Sequence, residues 1–155
     1  MRGECNLTKR PNLMELAIEE AKAAATRGEA PIGAVLSING EVIARAGNRT
    51  RELTDPTAHA EILVISEAAR SLSAERLLEA DLHVTLEPCT MCAGAISHAR
   101  IRRLYFGATD EKGGAVMSGV RFFQSPTCHH APEVYSGIGE TQSADMLREF
   151  FRARR

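Results

Sequence analysis

The chain has 155 residues, of which 44% are apolar and 25% charged, with a net charge of −1. That length suits one hydrophobic core, so a single domain over 1–155 is expected, and the composition is that of an ordinary soluble globular protein. No stretch is apolar for long enough to cross a bilayer, Met1 to Asn12 lacks the apolar segment of a signal peptide, and four cysteines are fewer than a secreted disulfide scaffold of this length carries, so a cytoplasmic location away from membranes is expected.

Charge is unevenly spread. Residues 1–99 hold ten Lys/Arg against fourteen Asp/Glu, whereas residues 100–155 hold nine against six. Arg100, Arg102 and Arg103 form one basic run, and Arg148, Arg152, Arg154 and Arg155 another. Such arginines are either solvated surface or a phosphate-contacting patch.

Helix and strand signals alternate along the chain, which places it in the α/β class. Asn12 is a capping residue type, and after it Leu13-Met14, Ala17-Ile18, Ala21 and Ala24-Ala25 recur at helical spacing, with Gly28 as a stop. Ile32 to Ile38 reads as a strand, Asn39-Gly40 as a hairpin turn and Glu41 to Ala46 as the returning strand. Gly47 to Thr57 reads as a loop. A second helix, starting near Thr57 or Ala58, carries Ile62, Leu63, Ile65 and Ala69. Asp81 to Leu86 is a buried strand, and Pro88 suits a turn or helix start. Cys89 to Ala99 is a third helix, rich in small residues, and Ile101 to Phe106 a further strand. Residues 107–132 are spotted with glycine and proline and irregular, a length that points to function. Glu133 to Ile138 is a short last strand. Thr141 to Arg155 is an amphipathic helix with Met146, Leu147, Phe150 and Phe151 on its apolar side.

Two short motifs carry chemistry. Cys89 and Cys92, in Pro88-Cys89-Thr90-Met91-Cys92, are spaced so that both thiols share one side of a helical turn and reach one zinc ion. The unsatisfied N–H groups of a helix start favour the thiolates. His59 and Glu61 lie two apart and would diverge on an ideal helix. For both to face one site they must straddle a helix start, as Asp55-Pro56-Thr57 upstream allows. A closed structural zinc site takes four protein ligands, whereas a catalytic one keeps a position for water. His59, Cys89 and Cys92 as three ligands, with Glu61 free to move protons, therefore predict a hydrolytic centre with one Zn2+ per subunit. Two other readings compete: a redox C-x-x-C pair, and a structural zinc completed by Cys128, His129 or His130. His83 and His98 read as packing or surface histidines, and Glu87 as a capping or turn carboxylate.

An H-x-E motif followed by P-C-x-x-C is the pattern of zinc-dependent nucleobase deaminases. The wider sequence resembles the bacterial tRNA-specific adenosine deaminases of the cytidine deaminase-like superfamily, from about Met14 to Arg155. The resemblance is carried by Ala30-Pro31-Ile32-Gly33-Ala34-Val35, Gly47-Asn48-Arg49, Asp55-Pro56-Thr57-Ala58-His59-Ala60-Glu61, the stretch 84–95, Tyr105-Phe106-Gly107-Ala108 and Phe150-Phe151-Arg152-Ala153-Arg154-Arg155. It implies a three-layer α/β fold with a central mixed five-stranded sheet flanked by helices. It also implies a homodimer and conversion of adenosine to inosine at the wobble position of tRNA, with the anticodon stem-loop as partner. By motif match the zinc ligands are His59, Cys89 and Cys92, and Glu61 is the proton shuttle. Asn48 is expected to hydrogen-bond the purine and the Ala60 backbone to lie beside the departing group. Asp110 is expected to contact the sugar 5′ to the target, where a carboxylate accepting from a 2′-OH favours RNA over DNA. The competing reading of Asp110 is a turn residue before Gly113-Gly114. Ile32 and Leu86 are expected as apolar walls, and Phe151 and Arg152 as groups that stack on and neutralise neighbouring nucleotides. The rival enzyme is a free nucleobase or nucleoside deaminase of guanine or cytosine type, which needs no phosphate-binding surface. A zinc module that only binds nucleic acid would have no need of Glu61.

Overall fold

The computed structural model describes residues 12–154, so Cys5 and Arg155 lie outside the described residues. The first helix, α1 (Leu13–Thr26), starts as its sequence dictates: Asn12 Oδ1 accepts from the N–H groups of Met14 and Glu15 at 3.0 and 3.3 Å. β1 (Gly33–Ile38) and β2 (Glu41–Gly47) form an antiparallel hairpin. Its turn residues Asn39 and Gly40 both take positive φ, 52° and 80°, the conformation that Asn-Gly supplies at least cost. Then follow α2 (Ala60–Leu72), β3 (Ala80–Leu86), α3 (Thr90–Ala99) and β4 (Arg103–Ala108). Between β4 and β5 (Glu133–Tyr135) the chain forms only one 3-10 turn, Phe122–Gln124, among irregular segments. α4 (Glu140–Ala153) closes the fold.

The strands form one mixed sheet in the order β2-β1-β3-β4-β5. β1 is antiparallel to both neighbours, whereas β3, β4 and β5 are mutually parallel. The five-stranded sheet expected from the resemblance is thus present. α2 and α3 cover one face, where Val64, Ala68 and Ile96 pack with Leu36, Leu82, Val84, Leu104 and Phe106. α1 covers the other, with Met14, Ala17 and Ile18 against Val35. The helix sits so close that a Cβ on Gly33 would collide with the Ala17 carbonyl. α4 shares that face: a Cβ on Gly107 would fall 2.7 Å from Ser143 Oγ. No described helix is long and apolar enough to cross a membrane.

Several boundaries differ from the sequence reading. α2 begins at Ala60, later than Thr57 or Ala58, and α3 at Thr90, not Cys89. β4 runs two residues further than expected, and β5 stops at Tyr135. These shifts place His59 and Cys89 just outside their helices. The two helix N-termini meet beyond the carboxyl end of β3, the place where α/β sheets bind ligands.

Candidate active site

The loop before α2 delays the helix. Asp55 Oδ1 accepts from the Thr57 N–H at 2.9 Å and its hydroxyl at 2.7 Å, a local turn that competes with helical geometry. His59 is consequently the N-cap, extended at φ −74°, ψ 152°, and Ala60 and Glu61 open the helix. The straddling that the two-residue spacing demanded is therefore met. Cys89 is likewise an extended N-cap, at φ −76°, ψ 178°, and Cys92 is the third residue of α3. An N-cap and the third helical residue face each other, which is how a capping box closes. The two thiols meet by that route, and not as two positions inside one helix.

His59 Nδ1 lies 3.7 Å from Cys89 Sγ and 3.5 Å from Cys92 Sγ. All three ligand atoms lie within 4.8 Å of one another and could hold a metal ion. Hydrogen bonding among the three, together with burial, sets their acidities apart. Hydrogen bonding from the Cys92 thiol, then from His59, holds the Cys89 thiol down at about 4. The Cys92 thiol is pushed up by its bond to Cys89 and by burial, and the His59 imidazole is raised by its bond to Cys89. Glu61 is 4% exposed, and its Oε1 has no hydrogen-bond partner among the described residues. Burial lifts its carboxyl to about 7, against the opposing pull of its own backbone N–H and of His59.

The rival fourth ligands are engaged elsewhere. The Cys128 thiol donates to the His130 carbonyl at 3.1 Å and lies 3.6 Å from Ser97 Oγ, and His130 Nε2 bonds the Ile101 carbonyl at 2.8 Å. His129 is exposed. His83 is a packing histidine, stacked on Tyr105 at 4.3 Å, which stacks in turn on Tyr135 at 4.9 Å, and His98 is at the surface.

Asn48 is fixed on three sides. Its N–H donates to the Ile32 carbonyl at 3.0 Å, its carbonyl accepts from Arg27 Nη2 at 3.2 Å, and its Oδ1 accepts from the Ala60 N–H at 3.0 Å. Asn48 and Ala60 are thereby locked to each other, one residue from His59. The loop that carries Asn48 is supported by Glu29, a residue the sequence reading missed. It is 1% exposed and accepts from the N–H groups of Arg51 and Glu52 at 3.2 and 2.7 Å.

Leu86, Asp110 and Phe151 come together as lining of one cavity of about 280 Å³, together with Ala108, Leu147 and Arg148. Asp110 also satisfies its turn reading, since Oδ1 accepts from the N–H groups of Lys112 and Gly113 at 3.1 and 3.0 Å. Ile32 does not line that cavity; it is half-buried against the main core, where its carbonyl serves Asn48. Arg152 is exposed and also lies outside the cavity lining, a place that Arg148 takes. Phe150 is half-buried with the Arg154 guanidinium 3.8 Å over its ring, whereas Phe151, one turn after Leu147 in the same cavity lining, is 52% exposed. The basic run at 100–103 is largely spoken for: Arg102 pairs with Asp81 at 3.2 Å and Arg103 with Glu133 at 3.6 Å. Glu87 proves to be more than a turn carboxylate. It is 2% exposed and binds a distant loop through five donors.

Known proteins resemble this chain in sequence and fold. A family model of MafB19-like deaminases matches residues 9–155. A protein of Agrobacterium fabrum named tRNA-specific adenosine deaminase is 66% identical over 149 residues, covering 96% of this chain and 98% of its own. A protein of Bacillus subtilis with the same name is 50% identical over 139 residues, covering 90% and 86%. A solved structure from work on A-to-I editing by tRNA:A34 deaminases at the wobble position superposes with a TM-score of 0.86 at 69% identity, over 87% of this chain and 98% of that one. A guanine deaminase of Nitrosomonas europaea shares the fold, with a TM-score of 0.72 at 22% identity over 89% and 82%. With the H-x-E and C-x-x-C residues drawn into one centre on this sheet, the chain belongs to the MafB19-like deaminase family.

Proposed function

We propose that this chain converts adenosine to inosine at the wobble position of a tRNA anticodon, as a single-domain cytoplasmic homodimer with one Zn2+ per subunit. The observation that carries the chemistry is a soft three-ligand cluster beside a buried carboxylate, one oxygen of which has no partner among the described residues. The substrate rests on relatives that bear the name tRNA-specific adenosine deaminase and are similar over nearly their whole length.

The ligand set fits the ion. Tetrahedral zinc with Zn–N near 2.1 Å and Zn–S near 2.3 Å spaces its nitrogen and sulfur ligands roughly 3.6 Å apart. The observed 3.7 and 3.5 Å bracket that value. When bound, the ion's chemistry is to acidify a water and so make a nucleophile available near neutral pH.

The remaining steps fall to the chain's own residues. Glu61 takes the water proton as the new C–O bond forms at C6 of the purine. It passes that proton to the adjacent ring nitrogen, then takes the remaining proton from the new C6 hydroxyl and hands it to the amine as the C–N bond breaks and the carbonyl forms, so that one water is consumed and one ammonia released. Burial opposes the charge on this carboxyl, so it takes up a proton and gives it back readily, which suits this double duty. Asn48 Oδ1 is held by Ala60, which leaves its amide NH2 to donate to an acceptor on the purine. An anticodon loop is already unpaired, so drawing its base into the site costs less than from a duplex. Leu86, Asp110 and Phe151 would then meet the neighbouring nucleotides in their shared cavity, and Arg152 their phosphates.

The direct test is incubation of the zinc-loaded protein with an adenosine-bearing anticodon stem-loop and, separately, with guanine, cytosine and adenosine, identifying products by mass. Inosine in the stem-loop with the small molecules untouched is expected. Turnover of a free base with an unaltered stem-loop would overturn the RNA assignment.

A further inference from the structure

Glu87 takes no part in the chemistry above, yet it is the most heavily bonded side chain near the site. A carboxylate survives burial only when its lone pairs are filled. Here Oε1 accepts from the Asp110 N–H at 2.9 Å and the Ser118 hydroxyl at 3.0 Å. Oε2 accepts from the consecutive N–H groups of Val116, Met117 and Ser118 at 3.0, 2.8 and 2.9 Å. Successive N–H groups converging on one point form an anion nest, and this one is filled by the chain's own side chain. Gly114 packs directly on it: a Cβ there would fall 2.5 Å from Glu87 Cδ. The same stretch is joined to the metal-ligand turn, through the Ala115 N–H on the Pro88 carbonyl at 2.9 Å and a bridge between Cys89 and Gly114.

Residues 110–118 contain no helix or strand. Their shape is therefore set by what they bond to, and more of those bonds end on the Glu87 carboxylate than on any other group. The segment delivers Asp110 to the cavity shared with Leu86 and Phe151, and Asp110 is itself held through its N–H.

We propose that Glu87 is a positioning residue for substrate recognition: it holds the 110–118 segment so that Asp110 faces the nucleotide beside the reacting adenosine. The proposal rests on the RNA reading given above. It separates recognition from reaction, because Glu87 reaches neither Glu61 nor the three ligand atoms through any of its five bonds.

The test is Glu87→Gln, which keeps the shape but turns one acceptor oxygen into an NH2 group that faces N–H donors. Expected are an unchanged metal content, a kcat within about threefold, and a KM for the anticodon stem-loop raised about tenfold, the scale on which a displaced positioning group acts. Amide hydrogen exchange at 116–118 should quicken while the sheet stays protected. Glu87→Asp, which keeps the charge but draws the carboxylate back by one methylene from the 116–118 amides, should reproduce this pattern, and it takes the place of Glu87→Gln should that variant not fold. Ser118→Ala, which removes one donor of five, should stay within about twofold of the parent. An unchanged KM with loosened 116–118 amides would overturn the proposal, and so would a kcat lost in step with metal. A parent protein inactive on the stem-loop would refute the RNA reading instead, and the exchange at 116–118 would still report whether Glu87 holds the segment.

Discussion

Replacing Glu61 by glutamine removes the carboxyl assigned to proton transfer while keeping its shape. General acid–base catalysis by a placed side chain contributes about 10²- to 10⁴-fold, so kcat should fall by that factor, about 3–5 kcal/mol of barrier. The structure confines the damage. Glu61 supplies none of the three clustered ligand atoms, so the metal content should stay at one per chain. Its Oε1 bonds to nothing among the described residues, so that oxygen gives up no protein hydrogen bond. The melting temperature should accordingly move by no more than a few degrees, the scale of about 1 kcal/mol. The assay is steady-state inosine formation on the stem-loop, with metal analysis and a thermal melt on the same preparation. Turnover equal to the parent's would refute the shuttle. Turnover lost in proportion to metal would show that Glu61 serves the ion's site and not the proton.

Acid stability should depend on His83, whose imidazole is pushed down to about 4 by burial. As pH falls from about 6.5 the unfolded chain takes the proton first, so stability is full above that pH and drains away towards pH 4, by about 2 kcal/mol after discounting for partial exposure. His83→Phe keeps the stack on Tyr105 and should flatten the urea midpoint over that window; an unaltered acid slope would count against it. Gly33→Ala forces a methyl group onto the Ala17 carbonyl and should cost about 3 kcal/mol in chemical denaturation; a neutral result would mean α1 does not sit this close. Changing Arg152 and Arg154 to glutamine should weaken stem-loop binding and reduce the slope of log affinity against log salt by about 1 for each phosphate no longer neutralised. An identical slope would remove the tail from the RNA interface.

The centre was legible because its chemistry forces its spacing. A histidine two residues from a glutamate can serve one site only across a helix start, and Asp55-Pro56-Thr57 marks one. The helix starts themselves were misplaced, because apolar periodicity does not see a cap: His59 and Cys89 lie one step outside the helices they introduce. The hairpin was legible from Asn39-Gly40, since few other residue pairs tolerate two positive φ angles in succession. Glu29 and Glu87 were not legible as loop supports. A carboxylate that bonds backbone N–H groups 22 to 31 positions away leaves no pattern in the residues it binds, because every residue but proline has that donor. Phe150 and Phe151 are adjacent at the border of the apolar side of α4, and only the packing of that helix decides which ring is covered.

The long connection from β4 to β5 has a consequence for how such a catalyst diversifies. It borrows its form from a single acidic anchor and a handful of backbone bonds, and it meets the ligand set only at the turn that carries Cys89, while the strand ladders and His59 are built without it. Exchanges in that connection away from Gly114 and Ala115 alter what is presented to the reacting base and spare the backbone bonds behind Cys89, so target choice and amine removal can vary separately.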